Sequence, residues 1–380
     1  MNPDLLTLTI NGRDYSGWTG ARVSRGIDRL ATDFVVDTTQ RWTGQDVPWR
    51  IDVFDACVVA IDSVPLLTGY VDEVAPRISE GQHGVQIAGR SKVADLIDCR
   101  PDIAGGQFTG YSLAAIARAV AALFGVGVID QSNGLADNQF SDVTIQRGET
   151  AFLFLERLGR LSGVLLSDDV NGNLVLTTAG SSHAAGALEE GKNILTASAR
   201  LNGRRRFSTY IVKGQTPIGG GNAGIVNSPS GAVNQSAPTV QVNVTARATD
   251  AGVPRFRPYV YLAESALQGA AMQVRANWLA QMSWGRATEA EVSLAGWRQP
   301  NGQLWTPNEI ISTTLPTLGV TQDLLIAQVT FVLSETGGRQ TMLRLAPVAA
   351  YTPDPGAVKL HRRKKGAGGS RDWAGAGGIP

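Results

Sequence analysis

Two stretches of this chain carry the same alternation of apolar residues, and any fold has to accommodate both. The first runs from Leu66 to Cys99. It reads as a strand through Leu67, Gly69 and Val71 to Val74, a polar turn at Ser79-Glu80-Gly81, and a return strand in which Val85 and Ile87 flank Gln86. A short helix follows, with Val93, Leu96 and Ile97 on one face. Shifting the numbering by 258 lays Leu66-Leu67 on Leu324-Leu325, Val71 on Val329, Val74 on Val332, Val85 on Leu343 and Ile87 on Leu345. Gly44-Gln45 falls on Gly302-Gln303 at the same offset. Identities are few, but the alternation stays in phase and both copies place a polar turn at the same point. A slip of one residue would turn the apolar set outward, so the match reads as a duplicated β-module.

The first module is expected over 1–98. Leu6, Leu8 and Ile10 alternate before an Asn11-Gly12 hairpin turn, and Phe34-Val35-Val36, Trp49 to Val53 and Val58 to Ile61 continue the pattern. Such closely spaced short strands predict a small closed antiparallel barrel or sandwich. Residues 99–185 read as an α+β module. Ser112 would cap a helix with Leu113, Ile116, Val120 and Phe124 inward, Thr150 would precede a second helix, and a hairpin would turn at Asp168 to Asn173. The second β-module is expected at 186–215 and 288–351. An insertion at 216–287 would hold a Gly, Pro and Asn-rich loop and a helix from Tyr261 to Trp284 with Leu267, Ala271, Val274 and Trp278 inward. Residues 352–380 read as a flexible basic tail. The fold class is thus α+β, mainly β, with two similar small antiparallel β-barrels plus α+β modules.

Several chemistries lack the residues they need. A net charge of +1 gives no overall steering toward nucleic acid or a membrane surface. Cys57 and Cys99 are the only cysteines and are expected to be buried free thiols rather than a disulfide framework. No run of apolar residues is long enough to span a bilayer, and Met1 to Tyr15 has no signal-peptide pattern, so folding and assembly in a reducing cytoplasm are expected. His83, His183 and His361 are scattered and form no zinc pattern. No Gly-x-Ser-x-Gly elbow accompanies them, and Gly219-Gly220-Gly221-Asn222 is not followed by the Lys-Ser/Thr of a phosphate cradle. Asp168-Asp169 lies in a turn, where Asp serves the backbone. No catalytic, cofactor or metal residue is assigned.

Two basic runs are candidate contacts with nucleic acid or with a partner's acids. Arg204-Arg205-Arg206 is one, with a solvated turn as the plainer reading; Arg362, Arg363, Lys364 and Lys365 in the tail form the other. Trp42, Trp49, Trp297 and Trp305 all fall in or beside the repeated modules, as core fillers or interface anchors.

Four stretches carry a family likeness: Leu67-Thr68-Gly69-Tyr70-Val71-Asp72; Gly89-Arg90-Ser91-Lys92 with Asp95-Leu96-Ile97-Asp98-Cys99; Gly148-Glu149-Thr150-Ala151-Phe152; and Leu324-Leu325-Ile326. With the order of modules, they make residues 1 to about 350 resemble the baseplate hub proteins of Mu-like contractile-tailed phages. The resemblance implies a non-enzymatic homotrimer in which two barrels per subunit form a pseudo-sixfold ring. That ring would adapt a sixfold tail tube, or tube-adaptor protein, to a threefold central spike among other baseplate proteins. DNA would meet it only in passage through the channel, and the protein would reside in the virion. Two other readings share these features: a hub that also degrades peptidoglycan through residues 100–180, and the equivalent hub of a tailocin or a type VI secretion-like machine.

Overall fold

The computed structural model describes residues 4–39, 51–79, 82–103, 105–180, 182–218, 240–262 and 269–354. The first module contains β1 (Leu6–Ile10), β2 (Arg13–Tyr15), β3 (Gly20–Gly26), β4 (Asp33–Thr39), β5 (Ala56–Ile61), β6 (Val64–Ser79) and β7 (Gln82–Ser91). Asn11 and Gly12 both take positive φ, 50° and 73°, which gives the β1–β2 turn the twist its strands need. Alternation then sorts the side chains: Leu6, Leu8, Ile10, Val23, Phe34, Val36, Val59 and Ile87 are buried in the core, while their neighbours along each strand take the opposite face of the sheet.

The α+β module follows as α1 (Ala94–Asp98), β8 (Gln107–Phe108), α2 (Leu113–Ala122), β9 (Val128–Asp130), β10 (Val143–Thr144), α3 (Ala151–Ser162), β11 (Leu165–Asp168) and β12 (Leu174–Thr177). Ser112 Oγ accepts the Ala115 N–H and Thr150 Oγ1 accepts the Leu153 N–H, so each helix starts where a capping hydroxyl satisfies a free donor. Val93, Ala94 and Leu96 pack into this module's core, with Phe154, Leu155 and Leu158, rather than into the β-module that precedes them.

The remaining elements are β13 (Ser182–Glu189), β14 (Thr196–Leu201), β15 (Thr209–Ile218), β16 (Val240–Thr249), β17 (Pro258–Leu262), α4 (Gly269–Gly285), β18 (Thr288–Ala295), β19 (Glu309–Leu315), β20 (Val320–Ser334) and β21 (Gly338–Ala346). The first module is ordered β3-β4-β7-β6-β5-β1 across the sheet and the second β14-β18-β21-β20-β19-β13. Each strand of one list has its counterpart, in chain order, in the other. One pairing differs: β1 runs antiparallel to β5, whereas β13 runs parallel to β19.

The register corrects the offset read from sequence. Val71 faces Gly89 and Ile326 faces Leu345, and in each hairpin one residue then bulges, between Val71 and Glu73 and between Ile326 and Gln328. Val71 therefore corresponds to Ile326 and Gly89 to Leu345, shifts of 255 and 256 rather than 258. In β7 the shift of 258 is off by two positions, a slip that alternation tolerates; in β6 it is off by three, and the match there came from apolar residues on both faces of β20, Val329 and Val332.

Three further expectations change. Two separate closed barrels are not what the described residues form: β3 pairs with β20, merging both modules into one 13-stranded open sheet. The stretch at 186–215 is divided, because β14 joins β18 in the large sheet but β15 joins β16 and β17 in a separate three-stranded sheet. The insertion thus begins just after β14. On α4 the inward face is Met272, Arg275, Ala276 and Leu279, and Val274 is exposed. An arginine in the inward stripe disguised it: Arg275 lies 4.5 Å from the Tyr261 ring centre and pairs with Asp354 at 2.7 Å. Cys57 is buried, its thiol pushed up to about 12, chiefly by burial. Cys99 is exposed because it caps the C-terminal end of α1 at the surface.

Candidate functional site

No helix among the described residues is long and apolar enough to cross a membrane. Among the described residues, two strand edges of the large sheet and one basic turn are candidate surfaces for binding another chain. β6 is long enough to serve two neighbours on one side. Its first half, to Tyr70, pairs with β5, and beyond the bulge residues 73–79 pair with β7 alone among the described residues. Among the described residues β14 likewise pairs with β18 alone. An unpaired strand edge presents free N–H and C=O groups and invites another strand. Both edges also carry exposed apolar side chains, Ile78 at 73% and Leu201 at 62%.

The sheet face turned away from the core carries charged and polar side chains among apolar ones such as Val332 and Met342. Arg22, Ser198, Glu291, Gln328, Thr330 and Arg344 line a concavity of about 450 Å³. Along the same face Arg90 stands opposite Asp33, and Arg90 also holds Asp72 and Asp98 at 2.6 and 2.7 Å. Those two hydrogen bonds raise the Arg90 guanidinium further above its ordinary range.

The arginine run is not one surface. Arg204 and Arg205 are exposed on a short 3-10 turn, Gly203–Arg205, opened by Asn202 Oδ1 accepting the Arg204 N–H. Arg206 turns inward and donates to Asp250 through Nε and Nη2 at 2.8 and 2.7 Å. That fork holds the Asp250 carboxyl below the usual carboxylate range. Arg257 locks the turn by donating to the carbonyls of Gly203 and Arg204, and lies 5.1 Å from the Phe207 ring centre. Beside it Phe256 is 89% exposed, next to Arg255. The sequence reading missed this Arg-Phe-Arg triplet and both strand edges; the signal for the triplet was an aromatic between arginines in a turn-rich stretch. Arg362, Arg363, Lys364 and Lys365 lie outside the described residues, as do Trp42, Trp49 and His361. Trp297 and Trp305 are core residues.

The Asp168-Asp169 pair is fully occupied. Asp168 accepts the Thr32 N–H at 2.8 Å and the Thr32 hydroxyl at 2.9 Å, stapling the α+β module to the first β-module. Asp169 Oδ1 accepts the N–H groups of Asn171 and Asn173 within its own turn. His183 lies on β13, with no histidine partner among the described residues.

Comparison with known proteins bears on these surfaces. Residues 5–91 match the N-terminal domain of Mu phage baseplate assembly protein GpP-like proteins, 93–178 the second domain of baseplate hub protein gp44-like proteins, and 268–354 the fourth domain of Mu phage baseplate assembly protein GpP. The chain belongs to the baseplate hub family of Mu-like phages. It is 29% identical over 374 residues to baseplate hub protein gp44 of Escherichia phage Mu, covering 97% of this chain and 94% of that one. The hub fold is shared with the 43 kDa tail protein of prophage MuSo2 from Shewanella oneidensis, at 29% identity and a TM-score of 0.76, over 92% of this chain and 99% of that one. A tail protein from Neisseria meningitidis has the same fold at 18% identity and a TM-score of 0.71, over 93% and 99% of the two chains. Hubs of this family are structural components of the phage tail, and this hub is a virion protein of the baseplate.

Proposed function

We propose that this hub works as a homotrimer whose six β-modules form a pseudo-sixfold ring, matching a sixfold tail tube on one side and a threefold central spike on the other. The observation that carries the reading is the repeat of one strand order and one bulge in both modules. A chain with two equivalent modules presents six similar surfaces from three copies, which is how a threefold body meets a sixfold one. A monomeric enzyme has no comparable need for the repeat. The α+β module and the insertion then face the spike. The sheet face turned away from the core would line the passage for DNA. Arg22, Arg90 and Arg344 are interspersed there with Asp33, Glu289 and Glu291, and mixed signs avoid the cumulative grip on phosphates that would slow transit.

Light scattering combined with electron microscopy tests this. A particle of three chains with pseudo-sixfold symmetry at one end is expected. A monodisperse monomer at micromolar concentration, unchanged by addition of the spike protein, would overturn it.

A further inference from the structure

We propose that the insertion carries a membrane-docking tip, at which Phe256 enters the headgroup layer of an anionic phospholipid bilayer while Arg204, Arg205 and Arg255 contact its phosphates. Its avidity rests on the homotrimer reading above; its chemistry rests on one chain alone.

Charge singles the tip out. The whole chain balances 34 Lys and Arg against 33 acids, yet the stretch from Gly203 to Leu262 holds seven against one, Asp250. Arg206 takes up that acid in a two-point fork, so no free carboxylate of this stretch opposes an anion. Arg204, Arg205 and Arg255 are exposed and have no carboxylate partner among the described residues. The rest of the chain is left with an excess of acids. A molecule charged in this way turns its basic end toward an anionic surface, although its net charge is small.

The fold brings the two arginine loops together. β15 and β17 start, and β16 finishes, at the same end of the three-stranded sheet, where Thr209 lies opposite Thr249 on one side and Pro258 on the other. A loop that enters lipid has to satisfy its own N–H and C=O groups, and this one does so across the tip. Arg257 donates its N–H to Ser208 Oγ and its carbonyl accepts the Ser208 N–H, each at 2.9 Å. The Arg257 guanidinium covers the Gly203 and Arg204 carbonyls. Asp250 accepts the Gly252 N–H through Oδ1 and the Val253 N–H through its carbonyl. Pro254 and Pro258 bracket Arg255-Phe256-Arg257; they have no N–H to desolvate and hold φ fixed. Behind the triplet the Phe207 ring centre lies 5.1 Å from that of Tyr259. A braced loop, rather than a loose one, therefore holds Phe256 out at 89% exposure.

Size argues for a bilayer over other partners. A stable protein interface takes about 20–30 residues a side, and the tip offers five side chains. Single-stranded nucleic acid asks for a row of aromatic platforms along a basic groove, and Phe256 is the one aromatic side chain that the tip turns fully outward. An aromatic among arginines is what an interfacial anchor needs. One such anchor is weak. A threefold axis, however, sets three copies of Phe256 in a single plane, and linked anchors bind far more tightly than one. A hub that reached a bilayer would settle with its axis along the membrane normal.

Co-sedimentation of the full chain with lipid vesicles tests the tip. Wild-type protein should partition about tenfold more strongly onto vesicles of phosphatidylethanolamine and phosphatidylglycerol than onto vesicles of phosphatidylcholine. Phe256→Ala should lower the anionic partition about tenfold, and Phe256→Trp should retain it. Arg204→Gln, Arg205→Gln and Arg255→Gln together should abolish the preference for anionic vesicles. These side chains are exposed, so the unfolding midpoint should stay where it is in every variant. Equal partition onto both kinds of vesicle, or variants that sediment as the wild type does, would overturn the lipid site while leaving the hub reading intact. Absence of vesicle binding, with Phe256→Ala weakening binding of the spike protein instead, would overturn it in favour of a protein anchor. A monomer by light scattering that still shows the tip-dependent partition would overturn the trimer and uphold the tip.

Discussion

Phe54 and Asn308 occupy the same position in the two modules and share an unusual backbone: φ is 73° at Phe54 and 72° at Asn308. Each donates its N–H at 2.8 Å to the carbonyl at the bulge, Phe54 to Val71 and Asn308 to Ile326. Left-handed backbone is rare outside glycine, and two such residues at matched places bind the modules to one ancestral geometry. Their side chains have diverged. Asn308 is 9% exposed, accepts the Gly180 N–H through Oδ1 and donates to the Thr178 carbonyl through Nδ2. Phe54 is 82% exposed.

Phe54→Gly should therefore raise stability, by about 1 kcal/mol, since it relieves a strained φ at an exposed site. Thermal unfolding reads this directly. Asn308→Gly relieves the same strain but loses two buried hydrogen bonds, and should lower the midpoint instead.

Gly89 is the position where the Gly89-Arg90-Ser91-Lys92 block is least replaceable. A Cβ there would stand 2.2 Å from the Tyr70 carbonyl and 2.7 Å from the Phe34 ring. Gly89→Ala should cost roughly 3 kcal/mol or more and leave little soluble protein. At Gly84 the nearest atom to an added Cβ is 3.7 Å away, so Gly84→Ala should be recovered at the wild-type yield.

Asp168→Ala should loosen the junction between the first β-module and the α+β module. It removes the acceptor for both Thr32 donors and the carboxylate near Arg25, a buried guanidinium whose pKa burial lowers. A loss of about 3 kcal/mol is expected, with hydrogen exchange rising first at Thr32 and in β11.

The arginine run should split by function. Arg204→Ala and Arg205→Ala should change the unfolding midpoint little, within about 0.5 kcal/mol for exposed side chains, and should alter only binding to anions or partners. Arg206→Ala should destabilise the insertion by about 2 kcal/mol through the unpaired Asp250. The pH dependence follows in sign. Because the Asp250 pKa is depressed in the folded state by Arg206, its contribution is present above the ordinary carboxylate range and fades as pH falls through the depressed value. Asp250→Asn should remove that acid-side slope; an unchanged slope in calorimetry would refute the assignment.

What the sequence determined by itself was local. Apolar alternation marked the strands, Ser112 and Thr150 marked the helix starts, and Asn11-Gly12 marked a hairpin, because each signal acts over a few residues. Alternation also exposed the duplication, although in β7 it could not distinguish a shift of 256 from one of 258. Nothing local in β3 announces that its second edge belongs to β20, about 300 residues away. Nor could sequence divide Arg206 from Arg204 and Arg205, since the partner that buries it, Asp250, lies 44 residues further along the chain. Tertiary structure decided these points because hydrogen-bonded edges and buried charges are satisfied by whatever the folded chain brings alongside. Within the stretch Leu66 to Cys99, which first revealed the repeat, only the folded chain decided that residues 73–79 of β6 pair with β7 alone among the described residues.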